Sequence, residues 1–515
     1  MNFADAALDG RDKEGMFALP LRNLPAVVQD SEPETRTQPL AFLQRAITLD
    51  LRSLALCRLA TGLVILGDLI SRLQSFRIHY TDDGILPREL LFEMEGLRFP
   101  TVYAMSGWDV YLLLLFLFHA IVALSLSLGY RTRLSCLLAW YLTVSLQERC
   151  FMANNGGDRI LATILFWGMF LPWGERLSID SLARKEEPGE PSEVRSAATA
   201  ILVGQPILVY LISVFHKVEP TWLRGEVLHY ALQSDFYAYP MAFFLLPYPA
   251  LLRGLTYLTI AWELIGPILL LSSRPAVRTL VCLGFILMHL CFGLFLRIGI
   301  FAFSPALYML ALLPAAVWSR APLLGLSVWL QKLFTGAVGK LPARPTSPLR
   351  LRRWTEMALL TLFFYASLVA LGQDKRLAGW TSEGFDTVAH LTGLHQRWSV
   401  FVEVAHIFDG WIVVEAILAD GRQVDLFQGN EPVRWEKPAT PFGRYGSFRW
   451  PTPLALITDD SRYFKPFVKA LALDWQRDHP NDKVTWARLV FFEEQPLIDF
   501  RHPLVHRRDC WEGNL

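Results

Sequence analysis

Cysteine is scarce: there are six in 515 residues, and no two form a CxxC pair. That excludes a disulfide-stapled scaffold and removes the usual zinc and redox motifs, so no metal is expected. Charge is scarce as well. Only 19% of residues are Asp, Glu, Lys or Arg, and 49 basic residues against 48 acidic ones leave a net charge of +1. A nucleic-acid surface needs an excess of positive charge, so no nucleic-acid partner is expected. Ten-residue segments of alternating polarity, the mark of a membrane β-barrel, are missing. The first 45 residues lack the basic start, apolar middle and small-residue end of a cleaved signal peptide.

Apolar residues are abundant. They make up 53% of the chain, with 17 Trp and 34 Phe, which excludes disorder or a fibrous repeat as a whole-chain reading. Residues 108–130 and 276–296 are nearly continuous apolar runs, long enough to cross a ~30 Å hydrocarbon core as helices. Nine spans are expected, at 52–75, 108–130, 132–153, 157–175, 197–216, 250–273, 276–296, 298–318 and 354–372. An acidic stretch at 186–193 and a Pro- and Arg-rich stretch at 342–353 separate some of them. Cys57, Cys136, Cys282 and Cys291 fall inside apolar runs and are expected to pack as small hydrophobes.

The fold class expected is an all-α polytopic membrane bundle of about nine helices with a small C-terminal α+β domain outside the membrane. The division expected is a polar segment 1–48, a membrane domain 49–373 and an extramembrane domain 374–515. Loops after the even-numbered spans carry more Lys and Arg than the others. This places the amino terminus in the cytoplasm and, for an odd span count, the C-terminal domain on the outer face. In that domain, 411–418 and 423–427 read as a hairpin around Asp420-Gly421, 461–475 as a helix and 484–492 as a strand.

A charged side chain at the centre of a span costs at least ~2.5 kcal/mol, so each one needs a partner or a polar cavity. Asp68 and Arg72 stand four apart on one helical face and read as an ion pair, although Arg58 and Asp68 can equally face another helix. His119, Glu263 and His289 are single polar groups in apolar surroundings. Each alone reads as a hydrogen-bonded structural residue; three in one bundle point to an internal polar cavity. Glu148, Arg149, Asp158 and Arg159 flank the tight turn 154–157 and are expected at headgroup level, paired.

Residues 216–225 carry most of the functional information. Lys217 and Trp222 follow directly on an apolar span. They read either as an interfacial anchor, with a snorkelling lysine and a belt tryptophan, or as a lysine in a low-dielectric pocket. Burial disfavours the ammonium, and the neutral amine is then available as a base. Residues 297–301 read as a short hairpin in which Gly299 permits a close turn.

Taken in order, these segments resemble the vitamin K-dependent γ-carboxylase family, and more closely its bacterial branch, the HTTM (horizontally transferred transmembrane) domain proteins. The resemblance rests on Arg58, Asp68 and Arg72 with the run Tyr80-Thr81-Asp82-Asp83-Gly84-Ile85-Leu86-Pro87; on Asn154, Asn155 and Asp158; on Lys217, Trp222 and Gly225; and on His289 followed by Ile298-Gly299-Ile300-Phe301. It covers residues 50–320, and the later region with Trp398, Asp409-Gly410-Trp411 and Asp420-Gly421 looks like the tail of bacterial members. Gly156 stands where the animal carboxylases have a histidine after the paired asparagines.

The resemblance implies a membrane enzyme that binds vitamin K hydroquinone or a related quinol, with O2 and CO2 as co-substrates. A lysine amine deprotonates the quinol. Reaction with O2 gives an epoxide and a strong base, which removes a γ-proton from a glutamate of a peptide, and the carbanion takes up CO2. Lys217 falls at the lysine base, Asn154 and Asn155 at the quinone-contacting position and His289 at a functional histidine; Trp222, in the lysine segment, is a further cofactor-binding candidate. The implied partners are membrane lipid, a quinone and a glutamate-containing peptide or protein, and the implied location is a bacterial inner membrane. Two other readings stand beside this one: the scaffold reused for other quinone or lipid chemistry, and a non-enzymatic lipid- or quinone-binding module.

Overall fold

A backbone in lipid has no water to bond, so an apolar run of about twenty residues closes into a helix that satisfies its own N–H and C=O groups. The computed structural model describes residues 38–94, 99–182, 192–319, 325, 352–377, 380, 382, 384–399, 401, 409–495 and 504–515. Residues 1–37 of the expected polar segment, residues 186–191 of the acidic stretch and residues 342–351 of the Pro- and Arg-rich stretch lie outside these.

The bundle helices are α1 (Leu51–Leu73), α2 (Asp109–Leu128), α3 (Thr132–Arg149), α4 (Gly156–Gly168), α5 (Ala197–His216), α6 (Pro249–Leu269), α7 (Pro275–Phe295), α8 (Ser304–Ala311) and α9 (Arg353–Gly372). Local chemistry sets their starts. The Asp50 side chain accepts from Arg52 N at 2.8 Å ahead of α1, and Ser196 with Thr199 forms a capping box at α5. Proline opens α6 and α7, where its missing N–H costs nothing.

A helix stands at each of the nine expected places, but the count of nine spans is not confirmed. Among the described residues five helices, α1, α2, α5, α7 and α9, are long and apolar enough to cross a membrane. The α3 helix ends in Gln147, Glu148 and Arg149, and α6 carries Arg253 and Glu263. At 13 and 8 residues, α4 and α8 reach about 20 and 12 Å, short of a ~30 Å core. They pack against each other, and α4 is buried along almost its whole length. A helix that is apolar all round and surrounded by protein is a core element, which is why α4 looked like a span in the sequence.

The α1 helix packs on α2 and α8, and α5 packs on α6 and α9. At the α1–α2 contact a Cβ on Gly62 would meet Ser127 Oγ at 2.2 Å, so the missing side chain lets the two backbones approach. Arg58, buried in α1, donates to the carbonyls of Leu126 and Leu177 at 3.0 and 2.5 Å. It satisfies the carboxyl end of α2 rather than facing a cavity.

The C-terminal region holds an antiparallel sheet of β1 (Gly410–Leu418), β2 (Gln423–Asp425), β3 (Val484–Gln495) and β4 (Leu504–Asn514), in the order β2-β1-β3-β4. The expected hairpin is β1–β2, with Gly421 at φ +88° in the turn. Central β1 is buried along nearly all its length. Two helices accompany the sheet, α10 (Pro451–Asp459) and α11 (Phe464–Asp478). Of the expected apolar face of α11, Phe464, Phe467, Val468 and Leu471 are buried, whereas Leu473 is only partly so and Trp475 is buried in addition. Contacts group Phe42–Leu515 as one compact unit.

Candidate active site

The loop after α5 folds back on itself. The Glu219 side chain accepts from Trp222 N at 3.3 Å and caps a short helix, Pro220–Leu223, that has proline at its first position. This brings the Trp222 indole over the Lys217 ammonium, with Nζ 4.6 Å from the ring centroid. The indole N–H donates to Phe401 O at 2.9 Å, so the ring is held from behind. Lys217 is 6% exposed, and its ammonium forms an ion pair with Glu263 of α6. Ser213 Oγ donates to the same carboxylate oxygen at 3.3 Å. A charge out of water needs a counter-charge and hydrogen bonds. The lone acid of α6 is that counter-charge.

Two turns before Lys217 on the same face of α5, Tyr210 bonds His289 of α7, Oη to Nε2 at 2.9 Å. Tyr210 is stacked on Phe285 at 4.2 Å, and the His289 ring meets Phe301 edge-on at 5.3 Å. Buried His289 Nδ1 has no hydrogen-bond partner among the described residues. Tyr210, Lys217, Trp222, Glu263 and His289 line one cavity of about 70 Å³. Leu228, Thr259, Phe292 and Leu296 line both this cavity and a groove of about 480 Å³ formed by α6, α7 and the segment before α6. The groove is almost wholly apolar, and Leu258 and Leu287 on it are exposed at the bundle surface. Cys291, read as a packed small hydrophobe, lies there exposed, whereas Cys57, Cys136 and Cys282 are buried.

His119 lies apart. Its Nδ1 faces Tyr103 Oη at 3.3 Å and its Nε2 faces Thr143 Oγ1 at 3.2 Å, so it is a satisfied structural histidine. Asn154 and Asn155 line a different cavity of about 340 Å³, which among the described residues shares only Phe301 and Phe401 with the lysine cavity. Their side chains hold the turn. Asn155 Oδ1 accepts from Gly157 N at 2.8 Å, and its Nδ2 donates to Ile298 O at 3.2 Å. Asn154 Nδ2 donates to Gln147 O at 2.8 Å. Lys217, at the expected base position, and the asparagines, at the expected quinone-contacting position, therefore line two different cavities, with Phe301 and Phe401 lining both.

Behind the asparagines is a buried charge cluster. Arg72 donates to Asp68 at 2.8 Å, to Asp158 at 2.5 Å and to Tyr80 Oη at 2.5 Å. Arg449, from the loop before α10, donates to Asp158 and Ala153 O at 2.7 and 2.8 Å and pairs with Asp68. Two arginines thus neutralise two carboxylates. The Asp68–Arg72 pair was legible. Asp158, expected at headgroup level, is fully buried because it closes the capping box of α4, accepting from Asn155 N at 2.7 Å.

Two participants, Tyr210 and Arg449, were not singled out in advance, and neither was the pairing of Glu263 with Lys217. Tyr210 lies seven positions before Lys217, on the same helix face, so the spacing was a usable signal. The pairing of Glu263 with Lys217 had a weaker one, a single acid facing a single base. Arg449, in a polar loop, had none.

The family model of the HTTM domain matches residues 47–318. The chain belongs to the HTTM domain family, whose domain is shared with vitamin K-dependent γ-carboxylase. With its candidate transmembrane helices it is an integral membrane protein. No curated protein and no solved structure matches it.

Proposed function

We propose that this membrane protein is a γ-carboxylase-like enzyme that binds a reduced quinone, vitamin K hydroquinone or a related quinol, in the cavity of Lys217. The observation that carries this reading is the continuity of a buried polar centre with an apolar groove. Lys217, Glu263, Tyr210 and His289 stand at one end, and the groove leads from them to the exposed side chains Leu258 and Leu287. A molecule with a polar ring and an apolar tail fits that arrangement, entering from lipid tail-last.

The quinol, when bound, supplies the electrons for oxygen chemistry and the strong base that follows from it. The residues do the rest. The Lys217 ammonium first hands one proton to the Glu263 carboxylate bonded to it, and the neutral Nζ then accepts and holds a proton from a hydroxyl placed against it. The Trp222 indole covers the amine and keeps water away, which a strong base requires. His289 presents an unbonded Nδ1 to a guest while Tyr210 fixes its ring. Carboxylation of a glutamate on a peptide is the further step proposed, with O2 and CO2 as co-substrates and without a metal. The amino terminus is proposed to be cytoplasmic and the C-terminal region to lie on the periplasmic face of a bacterial inner membrane.

One observation favours a second reading, a quinone- or lipid-binding module without turnover. Lys217 is engaged by Glu263 rather than free. Purified protein in lipid, given a panel of reduced quinones and O2, separates the two. Epoxide product supports the enzyme. Its absence from a folded sample that still binds quinone leaves the binding module.

A further inference from the structure

The two cavities differ in how their cations are satisfied. Lys217 has Glu263. Among the described residues, Arg297, which lines the cavity of Asn154 and Asn155, has no carboxylate bonded to it, and no acidic side chain lines that cavity. The guanidinium is clamped in place. Its backbone N donates to Tyr237 O at 2.6 Å. Its Nη1 donates to Asp235 O at 2.9 Å and to Ala238 O. The Tyr239 and Phe442 rings lie 5.0 and 5.5 Å from it. The nearby carboxylates of Asp235 and Glu494 are taken by Lys437. A guanidinium carries five N–H donors in a planar fork. Among the described residues only Nη1 is used, by neutral carbonyls. The Asp235 carboxylate acts on this half-buried cation from a distance without bonding it, and the guanidinium edge left over matches the two coplanar oxygens of a carboxyl group.

The rest of the cavity suits the same guest. Asn155 keeps one amide hydrogen beyond its bond to Ile298 O. Thr452 Oγ1, on the first turn of α10, makes no hydrogen bond among the described residues. The volume of about 340 Å³ is at the small end of ligand sites, enough for a short side chain or a small ion.

We propose that the Arg297 cavity binds a planar oxyanion of the carboxylate kind, held by the free edge of the guanidinium, with Thr452 and Asn155 as further donors. Among the described residues only Phe301 and Phe401 line both this cavity and the one holding Lys217. As a substrate site it rests on the quinol reading above; as a binding site it does not. The oxyanion has two possible sources, a side-chain carboxylate and bicarbonate.

The test uses full-length protein in detergent with no quinone present. Saturation-transfer NMR follows propionate, with propionamide as the neutral isostere and chloride as the ionic control. The expected result is saturable propionate binding that neither control displaces. It should weaken about tenfold in Arg297→Gln, the loss of one bidentate charge-assisted contact, and less in Arg297→Lys and Thr452→Val. Stronger binding of propionate than of bicarbonate in competition identifies a side-chain source; the reverse identifies dissolved carbonate. Equal signals from wild type, Arg297→Lys and Thr452→Val, or displacement by propionamide, overturn the proposal even if Arg297→Gln does not fold. Failure here leaves epoxide formation untouched, and absence of epoxide leaves this binding untouched.

Discussion

Arg449 Nη1 donates to Asp158 Oδ2 at 2.7 Å, joining the C-terminal region to the start of α4 across 291 positions of chain. The same guanidinium pairs with Asp68 of α1. The electrostatic balance of the bundle interior therefore depends on a residue from outside the matched HTTM domain. The region after α9 thus supplies a buried counter-charge to the bundle interior.

Arg449→Met leaves two buried carboxylates facing Arg72 alone. Removing one partner of a buried pair costs about 3–5 kcal/mol. Thermal unfolding in detergent is expected to show a loss of that order, and Asp158→Asn in the same chain is expected to restore part of it. An unchanged midpoint for Arg449→Met would mean that the cluster contributes little. Deleting residues 380–515 is expected to destabilise the bundle as a whole.

Asp409 is expected to give the protein a pH-dependent stability. Burial, reinforced by the Asp235 carboxylate, pushes its carboxyl up to about 8 from 3.8. The folded protein thus holds a proton that the unfolded chain releases above about pH 4. The stabilisation is full below that pH and is lost as pH rises through about 8, at up to about 1.4 kcal/mol per pH unit. Melting midpoints between pH 5 and 9 should fall for wild type and fall less for Asp409→Asn. Parallel profiles would contradict this.

Much of this was legible from local pattern. Span-length apolar runs, the Asp68–Arg72 spacing and the β1–β2 hairpin follow from helix and strand periods. Tertiary partners did not. Glu263 and Lys217 were each conspicuous, but a period shows which face a residue is on and not which face it meets. The buried α4 and α8 imitate spans because a helix enclosed by protein is as apolar as one enclosed by lipid. The β4 strand was missed because its sequence, with Arg507, Arg508 and Asp509 exposed in the middle, reads as polar tail; an edge strand tolerates such charge.

Gly157 marks where α4 touches the wall between the two cavities. A Cβ there would stand 2.5 Å from Phe301 N and 2.7 Å from its Cα, and backbone cannot yield as a side chain does. Gly157→Ala is expected to cost about 1–3 kcal/mol and to lower turnover. A variant as stable as wild type in thermal unfolding would show that α4 and Phe301 can part without cost.

Cys291 lies on the apolar groove, away from the polar groups around Lys217. Cys291→Trp fills part of a space of about 480 Å³. KM for a long-chain quinol should rise about tenfold, roughly 1.4 kcal/mol of lost tail burial, while a quinol without a tail keeps its KM. Equal effects on both would place the tail elsewhere.

The most direct measurement compares epoxide formation in lipid by wild type, Lys217→Arg, Lys217→Ala, and Lys217→Ala supplied with propylamine. Loss of a general base costs at least about 100-fold, and arginine cannot replace it because it stays protonated. The expected result is near-complete loss in both variants and partial recovery with the free amine, rising with pH as more amine is neutral. Full activity in Lys217→Ala or Lys217→Arg would contradict the assignment of Lys217 as the base.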